Sequence, residues 1–219
     1  GEQTGAFYTK PVLDGKSIKA TQSFNRLDYA AADVRTLWER LNEAGARVGF
    51  MNIPTTSPAP EVAGFFVSGA GGGLSAMGIP KGAVHPEEDT NLLLDHEYIF
   101  DTRFVKSGLR SREAFLTQLK KMTAKRVVAF DALHGKHEVD VGFVAFMGIK
   151  ATQYLAMAEI ETMIATSHER WSSEQSEIAG LYEHFDQQVK KLVESVAPDN
   201  LMFVSDHGQA PFRHEIDLG

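Results

Sequence analysis

Four short, almost wholly apolar runs constrain the fold of this chain more than any other feature, and they lie at residues 47–53, 62–67, 141–147 and 201–204. Each has the length and composition of a buried strand, and the third resembles a central parallel strand that is covered on both faces. Segments with helical spacing of apolar residues precede or separate the runs, and glycine or proline marks several boundaries. This alternation predicts an α/β domain.

The helical segments have recognisable ends. Asp33 is predicted to cap a helix that runs to about Ala44. Ser111 is predicted to cap a long helix, and a further helix in two pieces is predicted between about residues 151 and 195. Residues 97–100 form one candidate strand. The apolar side chains of the long helix are Leu116, Leu119, Met122, Val127 and Phe130.

Composition excludes several classes of function. No apolar run approaches the roughly 18 residues that a membrane-spanning helix needs, and the mean hydropathy is −0.20. The net charge is −7, without the basic face expected of a protein that binds nucleic-acid phosphates. There are no cysteines, so a metal site would need Asp, Glu or His ligands. No signal peptide is visible, and the sequence predicts neither compartment nor oligomeric state.

The motif Ser-Asp-His-Gly at residues 205–208 follows the last apolar run. In open α/β sheets, ligands bind at the carboxyl ends of the strands. A carboxylate oxygen and an imidazole nitrogen together suit zinc or a similar divalent ion, which makes Asp206 and His207 candidate metal ligands. The alternative is a loop aspartate that caps the next element beside an ordinary polar histidine.

Two other loops follow predicted strands. The segment Asn52–Pro58 carries an amide and several hydroxyl groups that could line a pocket, although it also fits a simple turn between two prolines. The glycines of Gly69–Gly73 are predicted to form a flexible loop. They do not form a phosphate-binding loop, because no Gly-Lys-Ser/Thr follows them.

The order of these motifs resembles the type I phosphodiesterase/nucleotide pyrophosphatase proteins of the alkaline-phosphatase superfamily. The series covers most of residues 30–208 and is far more specific than any one of its parts. The matching segments are Trp38–Gly45, Asn52–Pro58, Val62–Gly69, Val139–Phe146, Tyr182–Asp186 and Phe203–Gly208.

This resemblance implies a three-layer α/β sandwich with a mainly parallel central sheet, and a two-metal hydrolase of phosphodiester or pyrophosphate bonds. Two zinc ions would activate the nucleophile and stabilise the leaving oxygen. Asp206 and His207 would hold one of them. Asn52, Thr55 and Thr56 would line the cleft for a small phosphodiester or nucleotide-like substrate. The family's nucleophile, a Thr or Ser, is expected upstream of residue 1, so no catalytic residue is assigned.

The sequence departs from the family pattern at the second metal. The family has Asp-x-x-x-His in the helix after the third apolar run, and Lys150 and Tyr154 stand at those positions here. A protonated lysine repels a dication, and a neutral tyrosine is a poor zinc ligand. Lys150 is either a replacement for the lost positive charge or, in a shifted register, an exposed lysine at a helix start. The second metal's late His is expected beyond Gly219.

At most one weak metal site is therefore expected in this chain, unless other side chains complete it. His134 and His137 are predicted to be surface residues at a helix end, and His184 and Asp186 to lie on a helix beside the sheet. His168 would need a shifted register to act as a ligand. His214 is a further candidate by composition.

These inferences predict one alkaline-phosphatase-like domain over residues 1–219, incomplete at both ends, in which residues 74–110 form a cap or long-loop insertion. The predicted function is metal-dependent hydrolysis of phosphodiester or pyrophosphate bonds, with little turnover by this chain alone. The alternative is a non-catalytic relative that uses the same fold to bind a ligand or a protein.

Overall fold

The computed structural model describes residues 11–14, 17–20, 35–70, 78–101 and 111–211. The chain divides into two compact units. The first comprises residues 1–102 and 128–145, and the second comprises residues 103–127 and 146–219.

The described part of the first unit contains two sheets. Strands β1 (Pro11–Asp14) and β2 (Ser17–Ala20) form an antiparallel pair. The larger sheet contains four strands: β3 (Val48–Ile53), β4 (Gly64–Ser68), β5 (Val84–His85) and β6 (Val141–Val144). Their order in the sheet is β5-β4-β3-β6. β3 pairs in parallel with β4 and β6, and β5 pairs antiparallel with β4. The predicted α/β class with a mainly parallel sheet is confirmed at this level.

One face of this sheet packs against helix α1 (Leu37–Glu43). The indole ring of Trp38 contacts the rings of Phe50 and Phe66 edge-on, with centroids 5.8 and 5.1 Å away. The cap of α1 is Thr36, whose hydroxyl accepts a hydrogen bond from the backbone N–H of Glu39. Asp33, the predicted cap, lies outside the described residues.

The other face packs against the last turns of helix α3 (Arg112–His137), whose residues from Val128 onward belong to the first unit. Phe130 contacts the ring of Phe65 edge-on at 5.7 Å. A glycine at position 142 permits this approach, because a Cβ there would lie only 2.9 Å from the Phe130 ring. Helices therefore flank both faces of the sheet.

Two predictions for this unit need correction. The run 141–147 was expected to be a central strand covered on both faces, but β6 is the edge strand of the described sheet and Phe143 is 38% exposed. Residues 97–100 do not form a strand. They follow helix α2 (Asp89–Asp95) through a turn in which Glu97 has a left-handed φ of 53°. Burial of Tyr98 and Phe100 explains why this irregular segment is apolar.

The described part of residues 74–110 contributes to the sheet. Strand β5 pairs with β4, and α2 follows it. The sequence did not predict either element, because β5 has only two residues and α2 only seven. Coverage of a binding site by this segment stays a prediction.

The regular secondary structure in the described part of the second unit is helical. The first part of α3 belongs to it, and the predicted cap is confirmed, since the Ser111 hydroxyl accepts from the backbone N–H of Ala114 at 3.1 Å. The two predicted helical pieces are α4 (Gly148–Ala165) and α5 (Ser173–Val196). A 3-10 turn at His168–Arg170 lies between them. One hydrophobic cluster of this unit consists of Ala156, Ile160, Met163 and Ile178.

The prediction of a buried strand at Leu201–Val204 is wrong. The four side chains are 54–82% exposed, and the segment has no strand geometry. An apolar run becomes a strand only where a neighbouring strand pairs with its backbone, and within the described ranges none pairs with this one. No helix in the described ranges is long and apolar enough to cross a membrane.

Candidate functional site

Asn52 lies in an irregular step at the carboxyl end of β3, where the register with β4 shifts between Met51 and Ile53. Its φ is 66°, and its side chain is almost fully buried. The amide nitrogen donates to the carbonyl of Ala145 at 3.2 Å, and the amide oxygen accepts from the hydroxyl of Tyr98. Asn52 therefore joins β3 to two other segments of the first unit.

The next two candidates occupy the turn after β3. Thr55 has a φ of 64°, and its hydroxyl donates to the carbonyl of Pro54 at 2.6 Å. A β-branched residue in this left-handed region is strained. Thr56 is buried, and its hydroxyl donates to the carbonyl of Ile53 at 2.6 Å.

The predicted substrate-binding residues thus differ in what they offer a ligand. The polar groups of Asn52 and Thr56 are buried and engaged in internal hydrogen bonds, which hold the turn. Thr55 is only half-buried and carries the backbone strain. Strained residues that the surrounding structure holds in place concentrate at functional sites. A role for the three in substrate binding stays a prediction, and Thr55 is the strongest of them.

Asp206 and His207 lie side by side in an exposed irregular segment of the second unit. His207 Nε2 is 3.3 Å from Asp206 Oδ2, and the side chains of His207 and Asp206 are 60% and 83% exposed. The backbone N–H of His207 also donates to Asp206 Oδ1 at 3.0 Å. The imidazole and the carboxylate therefore converge on one point in space.

The contact of the second ring nitrogen, Nδ1, determines which nitrogen of His207 faces Asp206. His207 Nδ1 is 2.8 Å from the carbonyl oxygen of Gly208, and a carbonyl only accepts, so Nδ1 must carry a proton. Nε2 then either bears a second proton or presents its lone pair to the carboxylate. A histidine held by Nδ1–H at a backbone carbonyl is the usual arrangement of a metal ligand that binds through Nε2.

Two ligands do not complete a metal site. Among the residues that the structure describes, no group of three or more His, Asp or Glu side chains is placed to hold a metal ion. Zinc sites in proteins normally use three or four protein ligands. Asp206 and His207 fit one edge of such a site and leave its remaining positions without ligands from the described ranges.

Lys150 and Tyr154, the positions at which the resemblance predicts the second metal, lie one turn apart on α4. The ammonium of Lys150 is 5.6 Å from the centroid of the Tyr154 ring. The tyrosine side chain is exposed, and Lys150 is half-buried. A cation over an aromatic face is mildly favourable, so the two residues form a contact of their own.

The other candidate ligands are dispersed or engaged elsewhere. His168 is exposed in the 3-10 turn. His184 lies on α5, with Nε2 3.0 Å from the carbonyl of Lys120, and Asp186 is exposed on the same helix. His134 is half-buried near the end of α3. His214 lies outside the described residues.

The prediction that His137 is a surface residue is wrong, since its side chain is only 11% exposed and its Nε2 lies 2.6 Å from Asp89 Oδ2. Lys136 Nζ lies 2.5 Å from the other oxygen of the same carboxylate, which is fully buried. Sequence spacing gave no sign of this cluster, because 47 and 48 residues separate its members.

Comparison with known proteins adds no assignment to this geometry. No family model, curated protein or solved structure matches the chain.

Proposed function

We propose that this chain carries the metal-binding scaffold of a hydrolase that cleaves phosphodiester or pyrophosphate bonds. It would belong to the type I phosphodiesterase/nucleotide pyrophosphatase class, with the three-layer fold of the alkaline-phosphatase superfamily. The observation that carries the proposal is the Asp206–His207 pair, in which the imidazole is oriented by Gly208 and faces the carboxylate at 3.3 Å.

The turn after β3 supports the same proposal. It follows a strand that has a parallel neighbour on each side, and loops at the carboxyl ends of such strands bind ligands in open α/β sheets. The turn offers Thr55 to a small phosphodiester or nucleotide-like substrate. Independently of this turn, a divalent ion such as zinc, held in part by Asp206 and His207 of the second unit, would polarise a phosphate oxygen.

A non-catalytic relative is the second candidate, and one observation favours it. Where the second metal would bind, Lys150 places an ammonium next to Tyr154. This ammonium carries positive charge without a metal, so a cleft with this arrangement still attracts an anionic ligand. Such a protein would bind a phosphate-containing molecule and leave it intact.

Zinc binding by the full chain tests the proposal. We expect equilibrium dialysis followed by elemental analysis to find about one weakly held ion per chain. The His207→Gln and Asp206→Asn variants should lose it. His168→Gln is the matched control, because it removes another exposed histidine of the same unit and should retain the ion.

The results of this experiment distinguish the hydrolase from the non-catalytic relative. Absence of zinc from the wild-type chain, or its retention in His207→Gln, would overturn the proposed site. Two ions per chain would mean that other ligands complete a working two-metal centre. One ion without hydrolysis of bis(p-nitrophenyl) phosphate, but with binding of that compound, would favour the non-catalytic relative.

The double variant Lys150→Asp, Tyr154→His tests the altered positions. Residues four apart lie on the same helix face, so these changes create an Asp/His pair there and remove the repelling ammonium. We expect the zinc content to rise above that of the wild-type chain. Unchanged zinc content would remove the argument that these two positions once held a metal.

A further inference from the structure

An apolar groove runs between α4 and α5 in the second unit, and we call it the α4–α5 groove. Its volume is about 590 Å³. The proposed hydrolase site uses none of its lining residues. They are Gln153, Met157, Ile160, Met163, Ile164, Trp171, Ile178, Ala179, Tyr182 and Glu183.

The shape of the groove suits an elongated occupant. Its lining on α4 extends from Gln153 to Ile164, across a kink at Ala156, and at 1.5 Å per residue it spans at most roughly 16 Å. The groove is open to solvent along this length, and Ile164 is 79% exposed. An open apolar trough of this length matches the side of a short amphipathic helix.

The rim of the groove is acidic. Glu183 belongs to the lining itself. Glu161, Glu174 and Asp186 are exposed, and each lies four residues from a lining residue, hence on the same helix face as that residue. Residues 148–186 contain seven Asp and Glu against two Lys and Arg. The segment that forms the groove is therefore acidic as a whole.

We propose that the α4–α5 groove binds a basic amphipathic helix of a partner protein. The partner's apolar side chains, spaced three and four residues apart, would enter the groove between Met157 and Ile178. Its lysines or arginines would meet the acidic rim, which raises the association rate and selects against acidic partners. A second copy of this chain is a poorer occupant, because its own groove would bring the same acidic rim to the interface.

Trp171 provides a direct readout, because it lines the groove and the chain contains only one other tryptophan. In a Trp38→Phe variant, emission from Trp171 alone is recorded during titration with an 18-residue model helix of leucine and lysine. We expect a saturable shift that weakens with added salt. A matched leucine and glutamate peptide should produce no shift. If Trp38→Phe fails to fold, calorimetric titration of the wild-type chain replaces it.

Two matched pairs of variants locate the binding. Ile164→Asp should weaken binding of the lysine peptide at least tenfold. Leu94→Asp, on α2 of the first unit, alters a residue that is likewise exposed, at 58%, and should change nothing. Glu183→Lys should weaken binding several-fold. Glu88→Lys makes the same charge change at an exposed residue of the first unit and should not weaken binding.

Three outcomes would overturn the proposal. The first is equal binding of the lysine and glutamate peptides, and the second is binding that Ile164→Asp leaves intact. The third is a wild-type dimer, seen by sedimentation, that Ile164→Asp converts to a monomer, because this would assign the groove to a second copy. The proposed metal site contributes no residue to the groove, so either proposal can fail without the other.

Discussion

The ring of Phe143 stacks on the ring of Phe50, with centroids 5.5 Å apart and planes within 1° of parallel. Phe50 stacks in the same way on Phe66, at 5.7 Å and 3°. The three residues are paired in the registers of β6, β3 and β4. Because a shift of one residue would turn each side chain to the opposite face, this row of rings fixes the register of the parallel strands.

The row of rings should couple the edge strand to the sheet. We expect Phe50→Ala to lower the free energy of unfolding by about 3 to 5 kcal/mol, because Phe50 is buried. Phe143→Ala should cost less than half of that, since its ring is partly exposed. A double-mutant cycle in urea should give a coupling of roughly 0.5 to 1.5 kcal/mol. Strictly additive effects would contradict a stacking contribution.

The strain at Thr55 should be measurable as stability. Thr55→Gly removes the steric cost of the left-handed backbone, about 1 to 3 kcal/mol, and adds about 0.5 to 1 kcal/mol of chain entropy. We therefore expect a net gain of about 1 kcal/mol in urea unfolding. Thr56→Gly is the matched control, and it should destabilise because it removes a buried hydrogen bond. A loss of stability in both variants would refute the strain.

The buried carboxylate of Asp89 should be important for stability. It pairs with Lys136 and His137 on α3, and its side chain is fully buried. Asp89→Asn removes the charge that balances two basic groups, and we expect a loss of about 3 kcal/mol. Asp95→Asn alters an exposed residue of α2, the helix that contains Asp89, and should change stability by less than about 0.5 kcal/mol. Similar values for the two variants would show that the cluster contributes little.

Tyr182 should make the unfolding free energy depend on alkaline pH. Burial raises its pKa above the ordinary value of 10.0, and a hydrogen bond with Gln153 partly offsets the rise. The folded state therefore keeps the tyrosine proton at a pH at which the unfolded chain loses it. Stability is then fully present below about pH 10 and falls as the pH rises through the raised pKa.

Urea unfolding between pH 8 and 11 tests this dependence. Tyr182→Phe should reduce the alkaline loss of stability. Gln153→Leu should move the latest step of the tyrosine absorbance titration to higher pH, because the hydrogen bond lowers the pKa. An unchanged pH profile in Tyr182→Phe would contradict the assignment.

The sequence predicted β3, β4 and α3 well because local patterns determine them. Val48–Ile53 and Gly64–Ser68 are apolar and bounded by turn residues, and Ser111 is a strong helix cap. The edge position of β6 and the exposed state of Leu201–Val204 depend on which strands lie beside them. Composition and spacing within a run contain no information about its neighbours.

The candidate sites likewise combine features that the local sequence shows with features that only the fold shows. The adjacency of Asp206 and His207 is visible in the sequence, and the structure adds the orienting bond to Gly208. The contact of Asn52 with Tyr98 and the Asp89 cluster join residues 46 to 48 positions apart. Tyr98 looked like part of a strand, and His137 looked like a polar helix end. Only the three-dimensional fold brings such partners together.

In the proposed metal site, the exposed segment Leu201–Val204 influences how tightly the adjacent Asp206–His207 pair would hold an ion. Any backbone freedom that this irregular segment loses when an ion binds reduces the affinity for that ion. A neighbour that covers the four apolar side chains would order the same backbone in advance. The two events are then thermodynamically linked, and each strengthens the other by the same factor. Metal affinity thus becomes a measure of whether this segment is covered.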